Sequence, residues 1–461
     1  MNMGISIKKN MDPNASLSFV ERFAYGSGDF ANNIVYSAIT IFLVFYYTDV
    51  IGMNAGTIGT IMLVSRVLDG VLDLLMGFVV DRTKSKHGKA RVWIARMTIP
   101  YAISGIILFS VPTHASNMFK IVYIFLSYNL SQVIFTAILI PYSTMNALMT
   151  QNQYERGLLG IFRMLLATVG TIFINTFTLK AVKFFGNDAK AWTLTFTAFG
   201  VISILVLLFT FFGTKERVLE EDKEDKVPIK EGVISLFKNK YWCMIAGIVF
   251  LMYFVLTVSG ASGVYYAKSV LGNQDLVVQI GNAATITQVT TMFFTAFFIK
   301  KWGKRNSFFL GMIFMLLGSI VMLISPTFNI VITGNILKGI GGGFAASAMF
   351  GMLSDTIEYG EWKTGIRVAG LANAASSFGS KVGSGVGGAI LGWILSLGKY
   401  DGTVAVQSPS AITAINTVYI YLPIAITAIC LLLLYYYKLD KEYPKIMEDL
   451  KQRKLNKKEN N

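Results

Sequence analysis

The 461-residue chain holds only two cysteines and two histidines. Cys243 and Cys430 both fall in apolar stretches, and His87 and His114 lie far apart in loops. Residues so few and so scattered exclude a disulfide framework and a zinc cluster, and no metal role is expected of the histidines. Charge is scarce as well. Asp, Glu, Lys and Arg make up 15% of the chain, against about 25% in soluble domains, whereas 54% of the residues are hydrophobic. That balance describes an all-α polytopic membrane protein, because a helix needs about 20 mostly apolar residues to cross a bilayer and such stretches recur almost throughout. Residues 1–18 are polar, with no short apolar core ending in small residues, so no cleavable signal peptide is expected. No nucleophile–base pair is evident. The glycines at 339, 341, 342 and 343 follow no strand and lack the lysine and hydroxyl of a nucleotide loop; close helix packing is their simpler reading. The repeat of Gly379, Gly383 and Gly387 every fourth residue reads the same way.

What charge there is has a pattern. A net charge of +15 in a soluble protein would point to nucleic acid; here the basic residues concentrate in alternate loops. Roughly twelve spans are expected, near 24–47, 55–80, 93–111, 118–142, 157–181, 191–213, 241–266, 274–299, 307–325, 328–356, 368–396 and 412–437. One set of loops carries Arg82, Lys84, Lys86, Lys89 and Arg91, then Lys215 to Lys240, then Lys300, Lys301, Lys304 and Arg305. The other set has only Lys180, Lys183, Lys190, Lys268 and Lys399. By the positive-inside rule both termini are cytoplasmic, in agreement with an even number of spans. The mixed-charge stretch 215–240 reads as a solvated linker between a six-helix bundle at 1–214 and a second at 241–437, followed by a solvated cytoplasmic tail at 438–461. Tight basic turns after the second span (81–91) and after the eighth (300–306) suggest a duplicated unit, as in many transporters.

The stretch 65–91, SRVLDGVLDLLMGFVVDRTKSKHGKAR, carries Arg66, Asp69 and Asp73 in otherwise apolar helix. Asp69 and Asp73 are four apart and share a face, with Arg66 on the same side. Charges at such depth face a bundle interior or a water-filled cavity. Two carboxylates one turn apart suit a coupling cation, sodium or a proton; an Arg66–Asp69 pair locking two helices is the alternative, and it leaves Asp73 unexplained.

Taken together, YGSGDFANN (25–33), FYYTDV (45–50), the Asp69/Asp73 stretch, DRTKSKHGK (81–89), IPY (140–142), SDTIEYGEW (354–362) and Lys381 within the eleventh span resemble the glycoside–pentoside–hexuronide:cation symporters of the major facilitator superfamily, the group that contains melibiose permease. The resemblance covers nearly the whole chain. It implies the major facilitator fold, twelve helices in two six-helix halves, and import of a sugar or glycoside with a cation by alternating access. It places the cation on Asp69 and Asp73 with Thr136, and the sugar near Arg163 and Lys381. No cofactor is implied beyond the coupling ion; the partners are the glycoside, a monovalent cation and the lipid of the cell membrane, with no nucleic acid.

The departures carry information. An asparagine that helps bind sodium in melibiose permease is Leu72 here, which weakens the sodium case and leaves the ion open. The two sugar-gripping acids of that permease fall on Asn33 and Leu139, the preceding lysine on Asn32, and its cavity tryptophans on Ser143 and Ala346. Two cations with fewer acids favour a glucuronide or hexuronide, with xylosides second; Lys381 can instead neutralise Asp69 or Asp73. Asp29 is one turn before Asn33, and Asn33 offers both donors and an acceptor to sugar hydroxyls or to a neighbouring helix. Tyr142 can stack on a sugar or anchor at the interface. Lys338 is a buried-charge candidate that can also snorkel, and has no assignment. Asp81 and Arg82, with Glu358, Glu361, Lys363 and Arg367, look like the cytoplasmic ion-pair gate of major facilitator proteins. The rival readings are a membrane-embedded lipid-modifying enzyme, which needs a polar cluster at one interface, and a sugar sensor without transport.

Overall fold

The computed structural model describes residues 16–83, 85–218, 229–366 and 368–459. Arg367 and the side chains of Asp73 and Asp81 lie outside the described residues. Among the described residues the regular structure is helical, and seven helices are long and apolar enough by themselves to cross a membrane. The chain divides into two compact units.

The first unit begins with α1 (Phe19–Ala38), which continues through two π-turns, Ile39–Leu43 and Tyr46–Val50. It goes on through α2 (Ala55–Asp81), α3 (Arg91–Leu108), α4 (Asn117–Met149), α5 (Gln153–Phe184) and α6 (Ala189–Gly213). Polar caps set the starts. Ser18 forms a reciprocal capping box with Glu21, and Ser116, Asn152 and Asp188 accept from the first backbone N–H groups of α4, α5 and α6. Helices α1 and α5 meet at near-backbone distance: a Cβ on Gly170 would stand 2.8 Å from the Phe30 carbonyl oxygen. Such approach maximises dispersion contact where water is absent to drive association. The same two helices are tied at one end by Arg22, whose Nε and Nη2 donate to Glu155 at 2.9 and 2.8 Å.

The stretch 215–240, expected as solvated linker, is structured at both ends. Glu216 is buried and caps α3, accepting from the backbone N–H groups of Lys89, Ala90 and Arg91 at 3.0, 3.0 and 2.7 Å. Gly88, at φ +105°, makes room for that carboxylate. Arg217 pairs with Glu21. The basic turn after α2 is thus held by an acid from the far end of the unit, a long-range contact that local composition does not reveal.

The second unit holds α7 (Ile229–Lys238), α8 (Lys240–Ser269), α9 (Leu276–Trp302), α10 (Lys304–Val321), α11 (Phe328–Thr364), α12 (Ala369–Leu397), α13 (Pro409–Asn416), a π-turn (Thr417–Tyr421), α14 (Leu422–Tyr436) and α15 (Leu439–Glu459). The glycines of α11 serve packing. A Cβ on Gly341 would run into the Gly311 carbonyl, and one on Gly343 would lie 2.6 Å from that of Gln288. Gly383 meets the Phe250 carbonyl of α8 in the same way. Lys304, in the basic turn between α9 and α10, donates to both carboxylate oxygens of buried Asp355 at 2.6 and 2.8 Å, so this lysine is a structural tie.

Two expectations need correction. The stretch Leu395–Ala411, expected within the second bundle, groups with the first unit. Tyr400 donates to Asp49 at 2.8 Å, and Gly402 packs against the backbone of Thr48 and Asp49. The tail, expected to be solvated, is a packed helix. Ile446 and Leu450 of α15, one turn apart, are buried in the core of the second unit. Around them Tyr443 donates to Glu358, Tyr241 to Glu442 at 2.9 Å and Trp362 to Asp449 at 2.9 Å.

Candidate functional site

The first unit encloses two polar clusters. In the first, α2 carries Asp69, only 1% exposed, into the bundle. Thr136 of α4 donates its hydroxyl to Asp69 Oδ1 at 3.2 Å. Arg66, one turn before, reaches Asp69 Oδ2 and the Gln132 side-chain oxygen, each at 3.5 Å. The expected partners Asp69 and Thr136 are therefore together, and the α2 backbone puts Asp73 one turn beyond Asp69. The Arg66–Asp69 contact of the alternative reading exists too, but 3.5 Å is the limit of a hydrogen bond and far from a tight charge-assisted one.

In the second cluster, Arg163 of α5 meets Asp29 of α1, with Nε 2.6 Å from Oδ2 and Nη2 3.5 Å from Oδ1. The guanidinium lies over the Tyr142 ring at 4.8 Å and near that of Tyr25 at 5.9 Å. Those rings stack on each other at 4.9 Å, and Tyr142 donates to the Tyr25 carbonyl at 2.5 Å. Gly28 permits this, because a Cβ there would run into the Tyr142 ring. Tyr142 is fully buried, so it is no interfacial anchor. With Tyr25 and Arg163 against it, its role here is to floor the Asp29–Arg163 pair rather than to present a bare face for stacking.

Of the two adjacent amides, Asn33 is back-bonded to its own helix, its Nδ2 donating to the Asp29 carbonyl at 2.8 Å. Asn32 is the residue that spacing alone does not select. It is 2% exposed, and among the described residues neither its Oδ1 nor its Nδ2 has a hydrogen-bond partner within 3.5 Å. An orphaned buried amide is costly, and this one lies one turn from Asp29 on α1.

The remaining expected residues are carried by other elements. Lys381 is half-buried on α12 of the second unit. Arg82 is exposed, Glu361 is half-buried, and Glu358 is engaged by Tyr443 of α15. Lys363 donates to the Lys238 carbonyl at 3.0 Å.

A helical, multi-pass bundle with charged clusters inside its units is the construction of a secondary transporter. The family model described as MFS/sugar transport protein matches residues 24–441, and the chain belongs to that family, the glycoside–pentoside–hexuronide:cation symporters. Among its relatives is the isoprimeverose transporter of Lactiplantibacillus pentosus, 32% identical over 457 residues, covering 97% of this chain and 93% of that one. The glucuronide carrier protein homolog of Escherichia coli (strain K12) is 28% identical, over 96% of this chain and 97% of its own. Among solved structures, a variant of the nucleoside transporter NupG superposes with a TM-score of 0.68 at 14% identity, over 90% of this chain and 99% of its own. That likeness establishes the major facilitator fold. These relatives are transporters, so the chain is a membrane sugar symporter that works by alternating access.

Proposed function

We propose that the chain imports a glycoside with a neutral pyranose or pentose ring, in symport with one monovalent cation, across the cell membrane with both termini cytoplasmic. The ring hydroxyls are met by Asp29, Arg163 and Asn32. The cation, sodium or a proton, sits at Asp69 with Thr136, and with Asp73 one turn on. The observation that carries the ring assignment is the Asp29–Arg163 ion pair at 2.6 Å. Counting Arg163 as a free cation favours uronides; paired with Asp29 it becomes a charge-balanced donor and acceptor set, which suits neutral hydroxyls. The isoprimeverose relative supports the same choice, and the glucuronide carrier homolog keeps uronides second.

Uptake into proteoliposomes tests this, under imposed sodium or proton gradients, across a panel of xylosides, glucosides, galactosides and glucuronides. The expected result is accumulation of neutral glycosides driven by one of the two gradients and lost in Asp69→Asn. Accumulation that ignores both gradients would sink the coupling. Exclusive transport of uronides would sink the ring assignment. Binding without counterflow would make the chain a sensor.

A further inference from the structure

The end of the linker forms α7, Ile229–Lys238, about 15 Å of helix and too short to cross a bilayer. Its two sides differ. Gly232, Ser235 and Leu236 are buried against the second unit: the Ser235 and Thr364 hydroxyls hydrogen-bond at 3.1 Å, and Leu236 joins the core. Val233, Ile234 and Phe237 share the opposite side and are 37%, 45% and 70% exposed. A helix seated by one face, with three large apolar side chains uncovered on the other, calls for a second apolar surface.

The place of α7 beside α8 identifies that surface. A single residue, Asn239, joins the two helices; its Oδ1 accepts from the Trp242 N–H at 3.0 Å, and its Nδ2 donates to the Thr356 carbonyl at 2.7 Å. This elbow folds the end of α7 back along the first turn of α8. Cys243 Sγ lies 3.6 Å from the Phe237 carbonyl oxygen, and the Phe237 and Trp242 rings meet edge to face at 6.0 Å. Helix α8 is long and apolar enough to cross a membrane. Its run 241–267, between Lys240 and Lys268, carries no charge. At 1.5 Å per residue that run is about 40 Å long, the thickness of a bilayer with its headgroups. Phe237, level with the start of the run, therefore stands at headgroup depth, and the uncovered face of α7 has the bilayer within reach.

Charge agrees. Lys238 and Lys240 are exposed on either side of the elbow, and exposed Lys363 donates to the Lys238 carbonyl at 3.0 Å, which brings a third ammonium to the end of α7. Lysines bordering an apolar helix face are the arrangement that holds to an anionic membrane surface.

We propose that α7 is an in-plane anchor for a phospholipid surface. Val233, Ile234 and Phe237 sink into the bilayer just beneath the headgroups, while Lys238, Lys240 and Lys363 contact the headgroup phosphates and favour anionic phospholipid. The anchor is independent of the cargo and of the coupling ion; it rests only on the chain's crossing of the membrane.

The test places a nitroxide on the full-length protein in lipid nanodiscs, with Cys243→Ser removing the neighbouring thiol. Labels at Val233→Cys and Phe237→Cys should be relaxed by oxygen, which concentrates in lipid, and shielded from a water-soluble nickel chelate. A label at Glu231→Cys, exposed on the polar edge of α7, should show the reverse. Either apolar position suffices if labelling the other disturbs the fold. Mixing phosphatidylglycerol into phosphatidylcholine discs should cut nickel access at position 237 by about twofold or more, since a lysine near an anionic surface contributes about 1 kcal/mol. The triple variant Lys238→Gln/Lys240→Gln/Lys363→Gln should abolish that change. Nickel access at 233 and 237 equal to that at 231 overturns the proposal, because the face is then in water. Shielding from both reagents overturns it as well, because a second copy or another protein then covers the face. A phosphatidylglycerol effect that is absent, or that persists in the triple variant, overturns the headgroup contact of the lysines.

Discussion

Asp29→Asn isolates the role of the ion pair. The substitution keeps the side chain's shape and removes the charge that balances Arg163. Breaking a fully buried pair by removing one partner costs about 3–5 kcal/mol, because the other charge is left uncompensated. The Arg163 side chain is 24% exposed, and its guanidinium keeps the Tyr142 ring beneath it, so a smaller loss of about 2 kcal/mol follows. Arg163→Gln should cost a similar amount by stranding the carboxylate. The double variant strands neither, so the cycle should show a coupling of about 2 kcal/mol, far above the few tenths expected of independent sites. Chemical unfolding of the purified protein in detergent measures this. The same single change should alter selectivity. An amide at position 29 would leave Arg163 as a free cation, and the ratio of glucuronide to xyloside affinity should rise by about tenfold, the equivalent of about 1.4 kcal/mol. Additive destabilisation in the cycle, together with an unchanged affinity ratio, refutes the reasoning, since it means the arginine is satisfied by something other than Asp29.

Thr136→Ala removes one hydroxyl from Asp69 and should weaken the apparent affinity for the coupling cation about fivefold, the value of one hydrogen bond of about 1 kcal/mol; an unchanged cation dependence of uptake removes Thr136 from the site. Gly88→Ala drives a Cβ into the Glu216 carboxylate at φ +105° and should destabilise the first unit by about 1–3 kcal/mol; Glu216→Ala should do likewise, and the two should not add. Ile446→Asp, at a side chain only 2% exposed, should detach α15 and open it to trypsin at its lysines, whereas Met447→Asp, at an exposed position, should not; equal cleavage of both variants argues that the helix does not dock.

Much of the architecture is legible along the chain because a bilayer imposes a simple rule on it. Long apolar runs mark the helices, and the shared face of Asp69 and Asp73 follows from helix geometry alone. Asp69 and Thr136, chosen through family resemblance, are found in contact. What is not legible depends on partners far apart in sequence. Asp29 and Arg163 are both candidate binders, yet their separation of 134 residues hides that each is the other's partner. Glu216 reads as one acid in a mixed-charge run, and only the folded chain brings it to the start of α3. Adjacent residues on a helix point about 100° apart, so Asn32 and Asn33 are indistinguishable until packing shows which amide is enclosed. The tail is different, because its signal is present: Tyr443, Ile446 and Leu450 recur at helical spacing in an otherwise polar stretch. Polar composition masks three apolar positions that suffice to seat a helix on an existing core.

Under the proposed function, the charge around Asp69 bears on which ion the chain would use. Arg66 contributes one positive charge, and Asp69 and Asp73 contribute two negative ones, one turn apart on the same helix. These three groups alone sum to minus one, and in the proposed site a single monovalent cation would neutralise them. A divalent ion would leave an excess positive charge in a medium that does not tolerate it. The proposed cation site would also account for Arg66 being held at the limit of hydrogen-bond distance rather than clamped. An arginine tightly paired to Asp69 would compete with the ion for the same oxygens, while no arginine at all would leave two charges to be neutralised and make release slow. Positioned at 3.5 Å and shared with Gln132, Arg66 would lower the negative charge without occupying the proposed site. Under that proposal, ion entry and exit would change the charge of α2 by one unit, which is the differential interaction an alternating-access cycle needs in order to favour one state when loaded and another when empty.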